Sequence, residues 1–160
     1  LNEALRRLHA TGLDVQFVSI IESAVNHVRT LCNEGTRVGL MATIATLQTG
    51  LYQDALQKVG LVPVLPDEDD RVYVQQAISD PRFGIKAFSD PVTEKTRELL
   101  LNAIRHLAEK EASLILLGCT EIPVAITESN LYGIPVVDAT SILARELIRA
   151  SCPERLKKIS

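Results

Sequence analysis

Ser113-Leu114-Ile115-Leu116-Leu117-Gly118-Cys119-Thr120-Glu121-Ile122-Pro123 is the stretch on which the reading of this chain turns. Its opening run, mostly leucine with one β-branched residue, predicts a buried strand. A glycine and a cysteine follow at once, then polar residues that can open a helix. In an α/β protein ligands bind at such junctions, in the crevice outside the carboxyl ends of parallel strands. A cysteine there faces the crevice, and backbone N–H groups at a helix start favour its thiolate. Position therefore makes Cys119 a candidate for chemistry. The competing reading is a structural thiol, because free cysteine is commonly buried.

Working outward, strand-like and helix-like patterns alternate. Residues 1–10 carry a helical stripe of Leu1, Ala4, Leu5 and Leu8, ended by Gly12. Residues 15–20 read as a strand, and residues 22–31 as a helix with Ala24, Val25 and Val28 on one face. Residues 37–41 form a short strand, followed by a helix over about 47–59 stopped by Gly60. Pro63 has no N–H to give, so the strand at 61–65 belongs at a sheet edge. A helix at 71–78 follows the acidic run Asp67–Asp70, and a long helix runs from Pro91 to about Lys110. After the central strand come a short helix at 120–126, a strand at 134–137 and a last helix at 139–150, then the basic tail Arg155, Lys157 and Lys158. This alternation predicts an α/β fold with parallel sheets flanked by helices. Residues 36–130 are expected to form one lobe, and residues 1–35 with 131–160 parts of another.

Composition sets outer limits. The 160 residues are 46% hydrophobic with few aromatics, which suits a Leu/Ile/Val/Ala core around a parallel sheet. The net charge of −3, with no basic patch or zinc-finger spacing, argues against nucleic acid as a partner. The apolar runs are too short to span a bilayer, so no membrane role is expected. Cys32, Cys119 and Cys152 do not form a secreted disulfide framework, and the cytoplasm is the default location. No Walker loop or GxGxxG occurs, and nothing asks for a nucleotide, flavin or metal cofactor.

Three further places attract attention. Thr43 and Thr46 follow the strand at 37–41, where hydroxyls and free N–H groups hold a carboxylate or phosphate, or simply cap a helix. Lys86, in Phe83-Gly84-Ile85-Lys86-Ala87, either neutralises a substrate carboxylate or snorkels at the surface. Asp138 ends a strand at the end proper to a site, or caps the last helix. His9, His27 and His106 lie in helices at no metal-ligand spacing, and Cys32 and Cys152 read as structural or exposed.

Leu117-Gly118-Cys119-Thr120-Glu121-Ile122-Pro123 resembles the second cysteine motif of the aspartate/glutamate racemase family. Arg37-Val38-Gly39-Leu40-Met41-Ala42-Thr43, Thr46, Pro66-Asp67, Gly84-Ile85-Lys86-Ala87 and Val137-Asp138-Ala139-Thr140 are similar in order, over nearly the whole chain. Glu121, where glutamate racemases carry a histidine, points to the aspartate-racemase branch. The resemblance implies two similar α/β lobes with the site between them, no cofactor, a homodimer, and a small dicarboxylic amino acid as substrate. One cysteine from each lobe would act, one thiolate removing the α-proton and the other thiol returning a proton to the opposite face. Carried over by motif, Cys119 is one of the pair, Thr43 and Thr120 hold the α-carboxylate, Lys86 meets the side-chain carboxylate, and Glu121 supports Cys119 or the substrate amine.

The first cysteine motif, Cys-Asn-Thr after an early strand, is absent. Cys32-Asn33-Glu34 shares two letters with it but not its context. In the family pattern Leu1 falls just after that motif, so the first lobe is expected to be incomplete. The expectation is a fragment, an ordered part of a longer chain, or a truncated product without two-base activity. Two alternatives stand beside the racemase reading. One is a single-cysteine relative of the maleate isomerase, hydantoin racemase or arylmalonate decarboxylase type. The other is a non-catalytic lobe that binds a dicarboxylate or assembles with a partner.

Overall fold

The computed structural model describes residues 2–12 and 15–157. The expectations placed on Leu1 and Lys158, and on the side chain of His9, lie outside what is described. In chain order the elements are α1 (Asn2–Ala10), α2 (Ile20–Leu31), β1 (Arg37–Met41), α3 (Ile44–Thr49), α4 (Leu51–Lys58), β2 (Val62–Val64), α5 (Glu68–Ser79) and α6 (Glu94–Glu109). There follow β3 (Leu114–Leu117), α7 (Ile122–Ala125), β4 (Asn130–Leu131), β5 (Ile134–Asp138) and α8 (Ala139–Ser151).

The strands form one sheet in the order β2-β1-β3-β5-β4, parallel except for the β4–β5 pair. Every residue of β3 is buried, as a central strand covered on both faces requires. Its side chains alternate between two cores. Ile115 and Leu117 join Val74, Ile78, Leu100 and Ile104 of α5 and α6 on one face. Leu114 and Leu116 join Ala24, Val25, Val28, Leu56 and Ile142 of α2, α4 and α8 on the other. The result is an α/β/α sandwich, with β2 and its Pro63 at the edge as expected. The boundary expected near residue 131 is crossed by the sheet, because β5 pairs in parallel with β3; α2 and α8, from the two ends of the chain, pack together.

Several elements differ from the sequence expectation. Residues 15–19 form no strand. Ser19 instead caps α2, its hydroxyl accepting from the Glu22 N–H at 3.3 Å, so the helix begins at Ile20. The single helix expected over 47–59 is two, broken at Gly50, whose φ of 70° leaves the helical region. The long helix starts at Glu94 rather than at Pro91, because the Thr93 hydroxyl accepts from the Thr96 N–H and fixes the first turn there.

The topology locates the crevice. From β1 the chain crosses to β2 on one side, then returns to place β3 on the other side of β1. The switch point of the sheet therefore lies between β1 and β3, whose ends Met41 and Leu117 are in register. The Gly118 N–H donates to the Met41 carbonyl at 2.8 Å, and holds the two outgoing turns side by side.

Candidate active site

Thr43 leaves β1 and Cys119 leaves β3, so both stand at the switch point. They line one cavity of about 560 Å³ together with Thr46, Tyr52, Lys86, Gly118, Thr120 and Glu121. Ile20 and Ile21 of α2, with Leu51 of α4, add apolar wall. The five residues given a role by the resemblance, Thr43, Lys86, Cys119, Thr120 and Glu121, all line it, whereas Asp138 does not.

Cys119 is 8% exposed. Its thiol donates to Glu121 Oε2 at 3.0 Å, and the Thr120 hydroxyl donates to the same oxygen at 3.0 Å. Lys86 Nζ lies 3.7 Å from the other carboxylate oxygen, Oε1. Glu121 thus collects two hydrogen bonds and a cation. The bond from Cys119, then that from Thr120 and the charge of Lys86, outweigh its partial burial and hold its carboxyl below the ordinary value.

The thiol responds in the opposite direction. Burial first, and then the bond to the Glu121 carboxylate, push Cys119 up to about 11. The N–H groups of Glu121 and Ile122 pull the other way but do not prevail. The expectation that the helix start favours the thiolate is therefore corrected. The resting group is a thiol, because desolvation of a buried sulfur and an adjacent negative charge outweigh two backbone dipoles. Replacing Glu121 by glutamine removes that charge. Alkylation of Cys119 in a chain with Cys32 and Cys152 changed to serine should then show its pH midpoint moved below that of the parent, with faster reaction at pH 8. An unchanged or higher midpoint would contradict the assignment.

The turn after β1 is fixed by its own hydroxyls. Thr43 Oγ1 accepts from the Thr46 N–H at 3.2 Å and lies 2.9 Å from Thr46 Oγ1, so Thr43 both caps α3 and lines the cavity. From α5, Gln75 Oε1 accepts the Ile44 N–H at 3.2 Å and braces this turn. Asp138 caps α8, accepting from the Thr140 and Ser141 N–H groups at 2.8 and 3.2 Å.

Lys86 sits on a loop tied down at several points. The Ile85 and Lys86 N–H groups donate to the carbonyls of Ala77 and Ile78 at 2.9 and 3.0 Å. The hydroxyls of Thr93 and Thr96 both donate to the Phe83 carbonyl, at 2.9 and 2.6 Å. Lys95 Nζ stands 4.3 Å over the Phe83 ring. A lysine on so restrained a loop keeps its Cα in place, while its amine remains largely exposed.

Sequence reasoning did not find Tyr52 or Gln75. Tyr52 follows Gly50 by two residues inside what reads as one continuous helix, and in the structure it lines the cavity from α4. Among the described residues no group of three His, Cys, Asp or Glu side chains is placed to hold a metal ion. Nor is any helix long and apolar enough to cross a membrane.

Comparison with known proteins decides the lineage. The profile of the Asp/Glu/Hydantoin racemase family matches residues 2–147. The chain belongs to this family. An uncharacterized protein encoded in the pnlA 3' region of Pectobacterium carotovorum subsp. carotovorum is 32% identical over 138 residues, 83% of either chain. A glutamate racemase of Carboxydothermus hydrogenoformans is 29% identical over 86% of this chain and 49% of its own. Among solved structures, a Picrophilus torridus aspartate racemase superposes with a TM-score of 0.71 at 29% identity, over 91% of this chain and 56% of that one. The chain thus spans about half the length of these two racemases, which are isomerases. The expected resemblance and the α/β fold are both borne out.

Proposed function

We propose that this chain carries one side of the acid–base machinery of a cofactor-independent amino-acid racemase acting on aspartate or glutamate. The observation that carries the reading is the Cys119–Glu121–Lys86 chain of contacts in one cavity at the switch point of the sheet.

In this reading the thiolate of Cys119 removes the α-proton. The Cα–H bond breaks, an S–H bond forms, and the electron pair spreads into the α-carboxylate. A second thiol returns a proton to the opposite face. Cys32 lies at the end of α2 and Cys152 at the end of α8, and the cysteine that lines the cavity is Cys119. The second thiol would therefore come from outside the cavity wall described here. The hydroxyls of Thr43 and Thr120 would hold the α-carboxylate, and donors there also stabilise the negative charge that develops on it. Glu121 would accept the thiol proton or the substrate ammonium. One methylene changes binding by only about 1–3 kcal/mol, so aspartate and glutamate would compete for one site. The reading keeps the protein in the cytoplasm, where free thiols such as these three persist, and as a homodimer.

Lys86 would meet the side-chain carboxylate. Its ion pair with Glu121 is 59% exposed on the lysine side, and exposed pairs contribute only about 0–1 kcal/mol. A substrate carboxylate can therefore take over the amine at small cost. Lys86→Ala should weaken dicarboxylate binding by about tenfold or more, since a bond between charged groups is worth about 1.5–3 kcal/mol, and should leave the melting temperature nearly unchanged.

A single cysteine in the cavity also favours a second reading, a one-cysteine relative that isomerises maleate, racemises a hydantoin or decarboxylates an arylmalonate. A calorimetric panel of L- and D-aspartate, both glutamates, maleate and a hydantoin separates the two. Heat from an amino acid that is lost in Lys86→Ala is the expected result. Binding of maleate or hydantoin with none of the four amino acids would overturn the racemase reading. Amino-acid binding with no α-proton exchange would leave a dicarboxylate-binding lobe.

A further inference from the structure

Gln75 stands on α5, behind the wall of the cavity rather than in it, yet it is bonded into the turn that carries Thr43. Its amide is held at both ends. Oε1 accepts the Ile44 N–H at 3.2 Å, and Nε2 donates to Ser79 Oγ at 3.1 Å, while that hydroxyl donates back to the Gln75 carbonyl at 2.8 Å. The Ile44 N–H needs an acceptor, which fixes the amide with its oxygen toward the turn. Ile44 opens α3, where N–H groups have no partner inside the helix. Its N–H lies in the same rigid peptide plane as the Thr43 carbonyl, which accepts from the Leu47 N–H at 3.0 Å. Gln75 therefore grips the peptide unit that joins Thr43 to α3.

The Thr43 hydroxyl has constraints of its own. Oγ1 accepts from the Thr46 N–H at 3.2 Å and lies 2.9 Å from Thr46 Oγ1. With Thr46 as the donor across that contact, the Thr43 O–H is left for a ligand oxygen, and its aim depends on the peptide that Gln75 holds. We propose that Gln75 is a positioning residue, which acts through Ile44 to aim the Thr43 hydroxyl at the substrate α-carboxylate. The inference rests on the reading of Thr43 as a carboxylate contact. It has a rival within the same helix, because α5 also anchors the Lys86 loop through the Ala77 and Ile78 carbonyls. A general loosening of α5 would reach Lys86 as well as Thr43, whereas loss of the Gln75 bond reaches Thr43 alone.

Gln75→Met keeps the length of the side chain and removes the acceptor, and Gln75→Glu keeps an oxygen in its place. Solvent exchange of the Ile44 amide, followed by NMR on isotope-labelled protein, should quicken in Gln75→Met and slow again in Gln75→Glu. By calorimetry, Gln75→Met should weaken binding of L-aspartate or L-glutamate about fivefold, in keeping with the loss of one hydrogen bond. The same factor should appear in a Lys86→Ala background and vanish in a Thr43→Val background, since independent groups add and groups that act through one another do not. Melting curves verify that each variant is folded. An Ile44 amide that exchanges in Gln75→Met as it does in the parent overturns the proposal. So does an unchanged affinity in Gln75→Met, a loss that shrinks in Lys86→Ala, or a loss that survives in Thr43→Val; in each case the reading of the site as one for a dicarboxylic amino acid stands. If the parent chain binds neither amino acid, that reading fails, and the proposal falls with it.

Discussion

Cys119→Ser should lose α-proton exchange by about 10²–10⁴-fold, the usual contribution of a positioned acid–base group. Dicarboxylate binding should stay within a few-fold of the parent. The separation follows from where the groups stand. The proposed carboxylate contacts come from Thr43, Lys86 and Thr120, on three different segments, and none is touched by exchanging sulfur for oxygen. What changes is the acidity of the group at position 119. A buried hydroxyl beside the Glu121 carboxylate is far harder to ionise than the thiol it replaces, and that thiol is already held up to about 11. Isotope exchange and calorimetry on the same preparation check both halves. Exchange within tenfold of the parent would remove Cys119 from the chemistry, and lost binding would assign it to substrate recognition instead.

Gly84→Ala should be destabilising and should also lower affinity for the substrate. A methyl group on Gly84 would lie 2.7 Å from the Asp80 nitrogen, 2.8 Å from the Asp80 carbonyl oxygen and 3.0 Å from the Gln76 carbonyl oxygen. These are backbone atoms at the end of α5, and they cannot swing aside as a side chain could. The Gly84 N–H also donates to that same Asp80 carbonyl at 2.8 Å. Overpacking of this kind costs about 1–3 kcal/mol. At about 2–4 °C per kcal/mol in a domain near this size, the melting temperature should fall by several degrees. Because Lys86 hangs two residues further along, a displaced loop carries its amine away from Glu121, and dicarboxylate affinity should fall as it does in Lys86→Ala. The two variants then differ in one respect, since only Gly84→Ala should also melt early. A Gly84→Ala chain that melts with the parent would show that the loop yields without cost.

How much of this was legible beforehand varied with the kind of signal. β3 was the plainest element, because a run of Leu and Ile ending in Gly118-Cys119 has few ways to be other than a buried strand at a site. The edge position of β2 followed from the missing N–H of Pro63, and the sheet order agrees. Residues 15–19 misled because strand propensity does not decide where the next helix is capped. Val15, Phe17 and Val18 suit a strand, but Phe17 is 50% exposed, while Ser19 supplies a cap that starts the helix. The helix break at Gly50 was hidden in an otherwise helical pattern, and Tyr52 on the following helix lines the cavity without a local signal for it.

The charge state of Cys119 was misjudged for a different reason. A helix start is visible in sequence, whereas the depth of burial and the carboxylate at 3.0 Å are products of the fold. Thr43 was readable as either a cap or a ligand-binding hydroxyl, and its position makes it a cap that lines the cavity. Lys86 came within reach of Glu121 only through the loop after α5, whose anchoring by Thr93, Thr96 and Gly84 is a tertiary matter.

The most direct test of the central claim is proton NMR in D₂O on L- and D-aspartate and L- and D-glutamate, with the reduced chain and its Cys119→Ser variant in parallel. If Cys119 is the base, the α-proton signal of at least one of these amino acids should decay with the parent chain, its remaining side-chain signals should persist, and the decay should vanish in the variant. Persistence of all four α-proton signals with the parent chain, or decay at the same rate in Cys119→Ser, would contradict it.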